Sequence, residues 1–335
     1  MKSCHSNPVR NYWVVFVLLA TFLAIGLTSS MPAIAQRKAN VVTEKKNSKS
    51  KTQQKKKQKI DYSNRFIRIR RDAKGKPLAM ETSIVRYFGK NKKGQRVIVD
   101  LIGVVHIGEK AYYEKLNKRF TQYDALLYEL VAPEGTKIPK GGARGGSGVN
   151  PIAALQKTMQ ASLGLEFQLD HIDYTKDNFV HADMSPTEFM ESMKNNNESF
   201  VKSFFRAMGQ SMAMQNSAKS GSTDAEMLMA LFSGDRETQL RKVMAEQMQN
   251  IESGMLIFEG DDGSTIINHR NRKALSVMER EIDKGNVRLG VFYGAGHLPD
   301  MEERLYKDFG MKRAGTSWLS AWSLQSKPAK KRNRK

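Results

Sequence analysis

The sequence Gly-x-x-His occurs twice in this chain, each time directly after an apolar run that favours a β-strand. Residues 96–102 lead into Gly103-Val-Val-His106, and residues 287–293 lead into Gly294-Ala-Gly-His297. A glycine allows the backbone to turn where a strand ends, and the histidine that follows is held at that edge. Ligand-binding loops of α/β proteins follow the carboxyl ends of parallel strands. The two imidazoles are therefore placed to meet and to share a metal ion or a substrate.

Two acidic residues are candidates to join these histidines. Glu129 lies near the end of an apolar strand predicted over residues 124–131, where a charged side chain is costly to bury unless it is paired, protonated or bound to a cation. Asp183 ends a second, shorter strand. Imidazole is a common ligand of Zn²⁺, and carboxylates also suit Mn²⁺. The pattern predicts a divalent metal site that polarises a carbonyl and lowers the pKa of a bound water, with ligands His106, Glu129, Asp183 and His297.

Each of these residues also has a structural interpretation. A histidine at a strand end often serves only as a hydrogen-bonding residue. Glu129 can form a buried ion pair with Arg270 or Arg272 instead of binding a metal. Asp183 can be no more than the residue that leads into the next helix. The residue pattern alone leaves both interpretations open.

Arg270 and Asn271 open a predicted helix after the turn Asp261-Asp-Gly-Ser264. An arginine at this place can clamp a carboxylate or stabilise a developing oxyanion, so both residues are catalytic candidates. The alternatives are a solvated arginine and an asparagine that caps the helix. The sequence contains no Gly-x-Ser-x-Gly elbow and no His-Glu-x-x-His helix, so the serine-hydrolase and zincin mechanisms that use them are unsupported.

In this order, the residues resemble the TraB/PrgY/GumN–Tiki family. The motifs that carry the resemblance are Gly103-x-x-His106, Glu129, Arg270-Asn271 and Gly294-Ala-Gly-His-Leu298, and they cover the two ends of the folded body. Tiki members act as metal-dependent proteases, and PrgY/TraB members reduce the activity of peptide pheromones. The resemblance implies a metal-dependent peptidase in which His106, Glu129 and His297 hold a Mn²⁺, Co²⁺ or Zn²⁺ ion.

The hydrophobic pattern predicts an α/β domain over about residues 61–326, with a central, largely parallel sheet flanked by helices. Twelve of the chain's 18 methionines lie in residues 150–255. Their helical spacing predicts a helical insert on the sheet, in which methionine serves as adaptable core. The predicted strands are 66–70, 82–88, 96–102, 124–131, 179–183 and 287–293, and the predicted helices outside the insert are 109–123, 266–282 and 299–309.

The two ends of the chain differ from its body. Residues 1–35 have a positive start, an apolar stretch of 15 residues and a small-x-small cleavage site, which predict a signal peptide and export to the periplasm or the medium, or a membrane anchor if uncleaved. Of the net charge of +21, residues 36–60 contribute +9 and residues 327–335 contribute +6, whereas residues 61–326 hold only +4. We expect the two basic segments to be disordered and to contact anionic envelope polymers or lipid rather than a specific nucleic acid.

Cysteine is excluded from the chemistry of the exported protein. Cys4 is the single cysteine of the chain and lies in the predicted signal peptide, so the mature protein has neither disulfides nor thiolate ligands. Three hypotheses follow. The first is an exported metal-dependent hydrolase that cuts peptide or protein substrates, with Glu129 as a ligand or as a general base. The second is a non-catalytic envelope protein that sequesters a peptide in the same cleft. The third is a structural protein tethered by its basic ends.

Overall fold

The structure is a computed structural model, and it describes residues 64–136, 138–139, 160–196, 233–255 and 265–326. The predicted signal peptide, basic linker and basic tail lie outside the described residues, as do the Gly-rich stretch 141–148 and much of the methionine-rich segment. Within the described ranges, no helix is long and apolar enough to cross a membrane.

Strands and helices alternate along the described chain. The strands are β1 (Ile67–Arg71), β2 (Pro77–Lys90), β3 (Arg96–Val104), β4 (Ile107–Gly108), β5 (Ala125–Tyr128), β6 (Glu166–Phe167), β7 (Phe179–His181), β8 (Arg288–Gly294) and β9 (Lys312–Ser323). The helices are α1 (Lys110–Phe120), α2 (Gln168–His171), α3 (Pro186–Asn195), α4 (Arg236–Met255), α5 (Arg270–Asp283) and α6 (Leu298–Lys307). A π-helical turn (Thr265–His269) precedes α5, and a 3₁₀ turn (Ala295–His297) precedes α6.

A seven-stranded sheet forms the centre of the fold, in the order β1-β2-β3-β8-β5-β7, with β9 paired to β2. Strand β2 is antiparallel to β1, β3 and β9, whereas β3, β8, β5 and β7 pair in parallel. All of these strands except β2 therefore run in one direction. The predicted α/β class is confirmed, and β2 and β3 form an antiparallel hairpin.

Helices cover both faces of the sheet because each carries apolar residues at helical spacing. On one face, α1 buries Tyr112, Tyr113, Leu116 and Phe120 in a core cluster that also includes residues of α4. On the opposite face, α5 and α6 pack against the sheet in a second cluster. The sheet lies between these two layers, which leaves the carboxyl ends of the parallel strands as the edge where loops gather.

The described part of the predicted insert is more than helical. It supplies β7, which pairs with β5 and becomes an edge strand of the central sheet. Helix α3 begins with a capping box: the Ser185 hydroxyl accepts a hydrogen bond from the backbone N–H of Glu188, and the Glu188 carboxylate accepts one from the backbone N–H of Ser185. Pro186 is the first helical residue. This capped start fixes the chain directly after Asp183.

Two predicted elements differ from the structure at their ends. The strand predicted to reach residue 131 ends at Tyr128, so Glu129 lies just beyond the strand and not inside it. The helix predicted from residue 266 begins instead with the π-helical turn, and the α-helix proper starts at Arg270. π-Helical turns are rare in proteins, and those that occur are often found at functional sites. Both differences place charged residues at the carboxyl edge of the sheet.

Candidate functional site

Four predicted site residues follow the carboxyl ends of four adjacent parallel strands. His106 comes after β3, His297 after β8, Glu129 after β5 and Asp183 after β7. The sheet order β3-β8-β5-β7 therefore sets them side by side in the order His106, His297, Glu129, Asp183. The strand ends that carry the two Gly-x-x-His motifs are adjacent, since Val104 of β3 pairs directly with Gly294 of β8.

The glycine of the first motif is required by close packing against the second motif. A Cβ atom on Gly103 would lie 3.2 Å from Cδ2 of Leu298 and 3.4 Å from Cβ of Ala295. Both contacts are tight for a well-packed interior. The missing side chain therefore allows the turn that carries His297 to approach the end of β3.

Glu129 is held from two sides. Its Oε1 accepts a hydrogen bond of 2.6 Å from Nη2 of Arg270, and its Oε2 accepts one of 2.7 Å from the backbone N–H of Gly294. The side chain is 8% exposed. The glycine of the second motif thus also serves as a hydrogen-bond donor that orients the glutamate.

Asp183 anchors Arg270. Its Oδ1 accepts a bond of 2.9 Å from Nε of Arg270, and its Oδ2 accepts one of 2.6 Å from Nη2. Such a bidentate pair fixes the plane of a guanidinium as well as its position. Of the two arginines that the sequence offered as partners of Glu129, Arg270 is the one that the structure places there. In this arrangement the guanidinium engages both oxygens of Asp183.

His297 is fully buried, and Asn271 holds its ring. The Oδ1 atom of Asn271 lies 2.7 Å from Nδ1 of His297, while the Nδ2 atom of Asn271 donates to the carbonyl oxygen of His297 and to Asp300. An amide oxygen accepts hydrogen bonds, so Nδ1 of His297 carries a proton and the neutral ring has its lone pair on Nε2. That Nε2 atom is buried without a hydrogen-bond partner and lies 3.4 Å from Oε1 of Glu129.

Gln168 holds His106 in the same manner. Its side-chain Oε1 lies 3.1 Å from Nδ1 of His106, and its backbone N–H donates to the carbonyl oxygen of His106 at 2.9 Å. The Nε2 atom of Gln168 donates to the hydroxyl of Tyr174, which turns the amide oxygen towards the imidazole. In both motifs, an amide side chain from elsewhere in the chain binds Nδ1 of the motif histidine.

The buried charges influence one another strongly. Burial by itself raises the pKa of the Glu129 carboxyl, but the guanidinium of Arg270 and contacts with the imidazoles of His297 and His106 outweigh this and hold the pKa well below its ordinary value. Burial lowers the pKa of His106, and the cation Arg270 adds to this effect. Burial also opposes the charge on Arg270, yet Asp183 and Glu129 more than offset it and raise the pKa of the guanidinium. Near neutral pH the site therefore combines an ionised carboxylate, a fixed guanidinium and a neutral His106.

Comparisons of the chain with known protein families, curated proteins and solved structures return no match. What this site can do therefore follows from its own atoms. In the neutral form of His297, the lone pair of Nε2 and the anionic Oε1 of Glu129 face each other at 3.4 Å. A shared cation, either a proton on Nε2 or a metal ion, makes this contact attractive.

The donor set fits a divalent cation in chemistry and, in part, in spacing. Two ligands of one tetrahedral ion with bonds of about 2.1 Å lie about 3.4 Å apart. The Nε2 atom of His297 and Oε1 of Glu129 have this separation. Across the described ranges, however, no group of three or more His, Cys, Asp or Glu side chains has the geometry of a complete metal site. A third ligand, His106 in the predicted set, would have to move towards the pair.

Sequence reasoning missed two residues of this site. Gln168 lies in the methionine-rich segment, 62 residues after His106, and no spacing pattern links the two. Asp300 stands three residues after His297 in the first turn of α6, where an acidic residue is ordinarily explained by the helix dipole. Asn271 was predicted as a catalytic or capping residue. The structure buries its side chain completely and bonds it to His297.

Proposed function

We propose that the protein is a metal-dependent hydrolase whose ligands are His106, Glu129 and His297. The observation that carries this proposal is the buried Nε2 of His297, which has no hydrogen-bond partner and lies 3.4 Å from Oε1 of Glu129. The family resemblance of the two motifs adds the expectation that the bond cut is a peptide bond and that the ion is Mn²⁺, Co²⁺ or Zn²⁺. The predicted signal peptide adds the expectation that the protein acts after export.

The amide partners of both histidines support this proposal. A metal-binding histidine ordinarily donates its second ring N–H to an acceptor, which fixes the tautomer and turns the other nitrogen towards the ion. Asn271 and Gln168 supply such acceptors at Nδ1 of His297 and His106. The lowered pKa of His106 keeps its ring neutral, as a ligand must be.

A bound divalent ion would polarise a substrate carbonyl and lower the pKa of a water molecule. The chain's own residues supply the remaining parts. Because the pKa of Glu129 lies well below its ordinary value, this carboxylate is a weak base and is better suited as a ligand than as a general base. Arg270 is a preorganised cation beside the site, and it stabilises negative charge that develops on a substrate oxygen. Asp183 keeps the guanidinium in place through its two hydrogen bonds.

Metal analysis of the full-length protein and of matched variants tests the proposal. The purified protein is loaded in turn with Mn²⁺, Co²⁺ and Zn²⁺, desalted and analysed for bound metal, and cleavage of a mixed peptide library is followed by mass spectrometry. We expect His106→Ala, His297→Ala and Glu129→Gln to lose both metal and cleavage. Asp100→Asn is the control, because Asp100 is an equally buried acid in a separate ion network. This variant should keep both.

Two results would overturn the proposal. One is a wild-type protein that retains none of the three metals, and the other is undiminished cleavage in the two histidine variants. Stable binding of peptides without cleavage under any of the metals would favour the non-catalytic alternative, a peptide-sequestering protein.

A further inference from the structure

We propose that Asp300 is a positioning residue that sets the tautomer of His297 through Asn271. Asp300 is 8% exposed and has no role in the ligand set proposed above. The inference rests on the proposed function only for its consequence on metal affinity. The tautomer itself is a property of the metal-free protein.

The argument begins with the carboxylate of Asp300. Arg304 binds it in a bidentate pair, with Nε donating to Oδ2 at 2.8 Å and Nη2 donating to Oδ1 at 3.0 Å. Asn268 donates its Nδ2 to Oδ1 at 2.9 Å. An ionised carboxylate only accepts hydrogen bonds, so each group that bonds to it must present a donor.

The orientation of the Asn271 amide follows from this. One end of the amide lies 2.8 Å from Oδ2 of Asp300 and 3.0 Å from the carbonyl oxygen of His297. Both neighbours are pure acceptors, so this end must be the NH₂ group. The amide oxygen is then fixed at 2.7 Å from Nδ1 of His297, which must carry the ring proton. The chain Asp300–Asn271–His297 thus directs the lone pair of the neutral ring to Nε2.

The two motif histidines differ in how firmly their tautomers are fixed. The amide of Gln168 is oriented by the hydroxyl of Tyr174, which can donate as well as accept. The amide of Asn271 is oriented by an anion, which can only accept. The tautomer of His297 is therefore set by charge, whereas that of His106 is set by a reversible hydroxyl contact.

Substitution of Asp300 by asparagine removes the charge while keeping the shape. The new amide can present its own NH₂ group to Asn271, which leaves the carbonyl oxygen of His297 as the one remaining neighbour that requires the NH₂ end of Asn271. A flipped Asn271 amide, which offers a donor to Nδ1 of His297, then becomes accessible at the cost of that one hydrogen bond. We expect Asp300→Asn to populate a second ring form of His297 with the proton on Nε2, and to weaken Mn²⁺, Co²⁺ and Zn²⁺ binding about 10- to 100-fold. Asp300→Glu keeps the carboxylate and should retain the wild-type tautomer.

Nuclear magnetic resonance of the full-length protein with ¹⁵N-labelled histidine tests this directly. Long-range ¹H–¹⁵N correlations at pH 8 with a chelator present report which ring nitrogen carries the proton, and His297→Gln assigns the signals. Arg304→Met is the matched control, since it breaks the ion pair but leaves Asp300 as an acceptor for Asn271. Should Asp300→Asn not fold, Asp300→Ser removes the same charge with a smaller side chain and carries the same expectation.

The outcomes separate this inference from the proposed function. A changed tautomer in Asp300→Asn, with Arg304→Met unchanged, supports the positioning role even if the wild-type protein binds no metal. An unchanged tautomer in folded Asp300→Asn or Asp300→Ser overturns the inference, as does an equal change in Arg304→Met. Metal binding by the wild-type protein together with an unchanged tautomer would overturn the role of Asp300 and leave the proposed function standing.

Discussion

Two buried acids in the same sheet, Asp100 and Glu129, stand in contrasting surroundings. Asp100 lies within β3, and its carboxylate is surrounded by hydrogen-bond donors. Arg86 donates to both of its oxygens at 2.8 Å, and Tyr123 and Arg119 donate at 2.8 and 3.4 Å. Glu129 lies just beyond β5, and beside its two donors it faces the lone pair of His297.

The contrast distinguishes an acid whose bonds stabilise the fold from one that we propose binds a metal ion. Every close polar neighbour of Asp100 is a donor, so adding a cation would displace an existing bond. Next to Glu129, the Nε2 atom of His297 has no hydrogen-bond partner and lies 3.4 Å from Oε1, an arrangement that a shared cation would stabilise. The two sites lie in the same sheet and differ in position: one is within a strand, and the other is at the carboxyl edge where loops supply groups from distant parts of the chain.

The largest expected effect on stability comes from removing the arginine that pairs with each buried acid, Arg270 beside Glu129 and Arg86 beside Asp100. Arg270→Met leaves Glu129 and Asp183 buried and without their shared partner, and we expect the free energy of unfolding to fall by about 3–5 kcal/mol. Arg86→Met should cost less, about 1.5–3 kcal/mol, because the Arg86 side chain is 34% exposed and Arg119 and Tyr123 remain on Asp100. Urea denaturation measures both, and equal losses would contradict the contrast.

The contributions of the Glu129 and Asp100 networks to the free energy of unfolding should also be lost in different pH ranges. The pKa of His106 is lowered from its ordinary value of 6.5, so the folded protein resists a proton that the unfolded chain accepts. The contribution of His106 is complete above pH 6.5 and is lost as the pH falls below it, by about 1.4 kcal/mol for each unit by which the folded pKa is lowered. The pKa of Asp100 is lowered from 3.8, because its hydrogen bonds and arginine partners outweigh the effect of burial, so its contribution is lost only in stronger acid.

His106→Asn tests this sign, because asparagine keeps a donor towards Gln168 but does not titrate. Unfolding is followed in urea with a chelator present, at a series of pH values below 6.5. The variant should lose stability less steeply than the wild-type protein in this range. Parallel curves would show that His106 does not contribute to the acid sensitivity of the fold.

The smallest effects come from removing one neutral partner from each network. Tyr123→Phe deletes one hydrogen bond to Asp100, and Gln168→Leu deletes the acceptor at Nδ1 of His106. Each should cost about 1–2 kcal/mol of unfolding free energy. Only Gln168→Leu should also weaken metal binding, by about 10-fold or more, as measured by competition with a chelator. Equal metal affinities in the two variants would remove the distinction between the clusters.

The sequence predicted the parts of this site that depend on local pattern. The two Gly-x-x-His motifs, the strand before Glu129 and the helix at Arg270 were all readable, because strand ends and helix starts have short signatures. Parallel pairing then brought these residues to one edge. The pairing of Glu129 with Arg270 remained one of two alternatives, since both interpretations use the same residues.

The other parts of the site and the fold depend on tertiary contacts that produce no periodic pattern in the sequence. Gln168 binds His106 from a segment whose sequence shows no pattern that links the two residues. Asp300 contacts His297 only through Asn271. The edge strand β7 has only three residues, so its place beside β5 follows from packing and not from its own propensity. The π-helical turn before Arg270 likewise has no known signature in sequence.

The central position of β8 has a consequence for how the molecule assembles. Along the chain, β5 is the next strand of the parallel half of the sheet after β3. In the sheet, however, β8, which begins at Arg288, lies between them. During synthesis, the gap between them stays open until residues 288–294 have emerged. Long-range pairing of this kind is slow. Strand β8 carries His297 at its carboxyl end, so the joining of β3 to β5 and the approach of the two motif histidines are a single event.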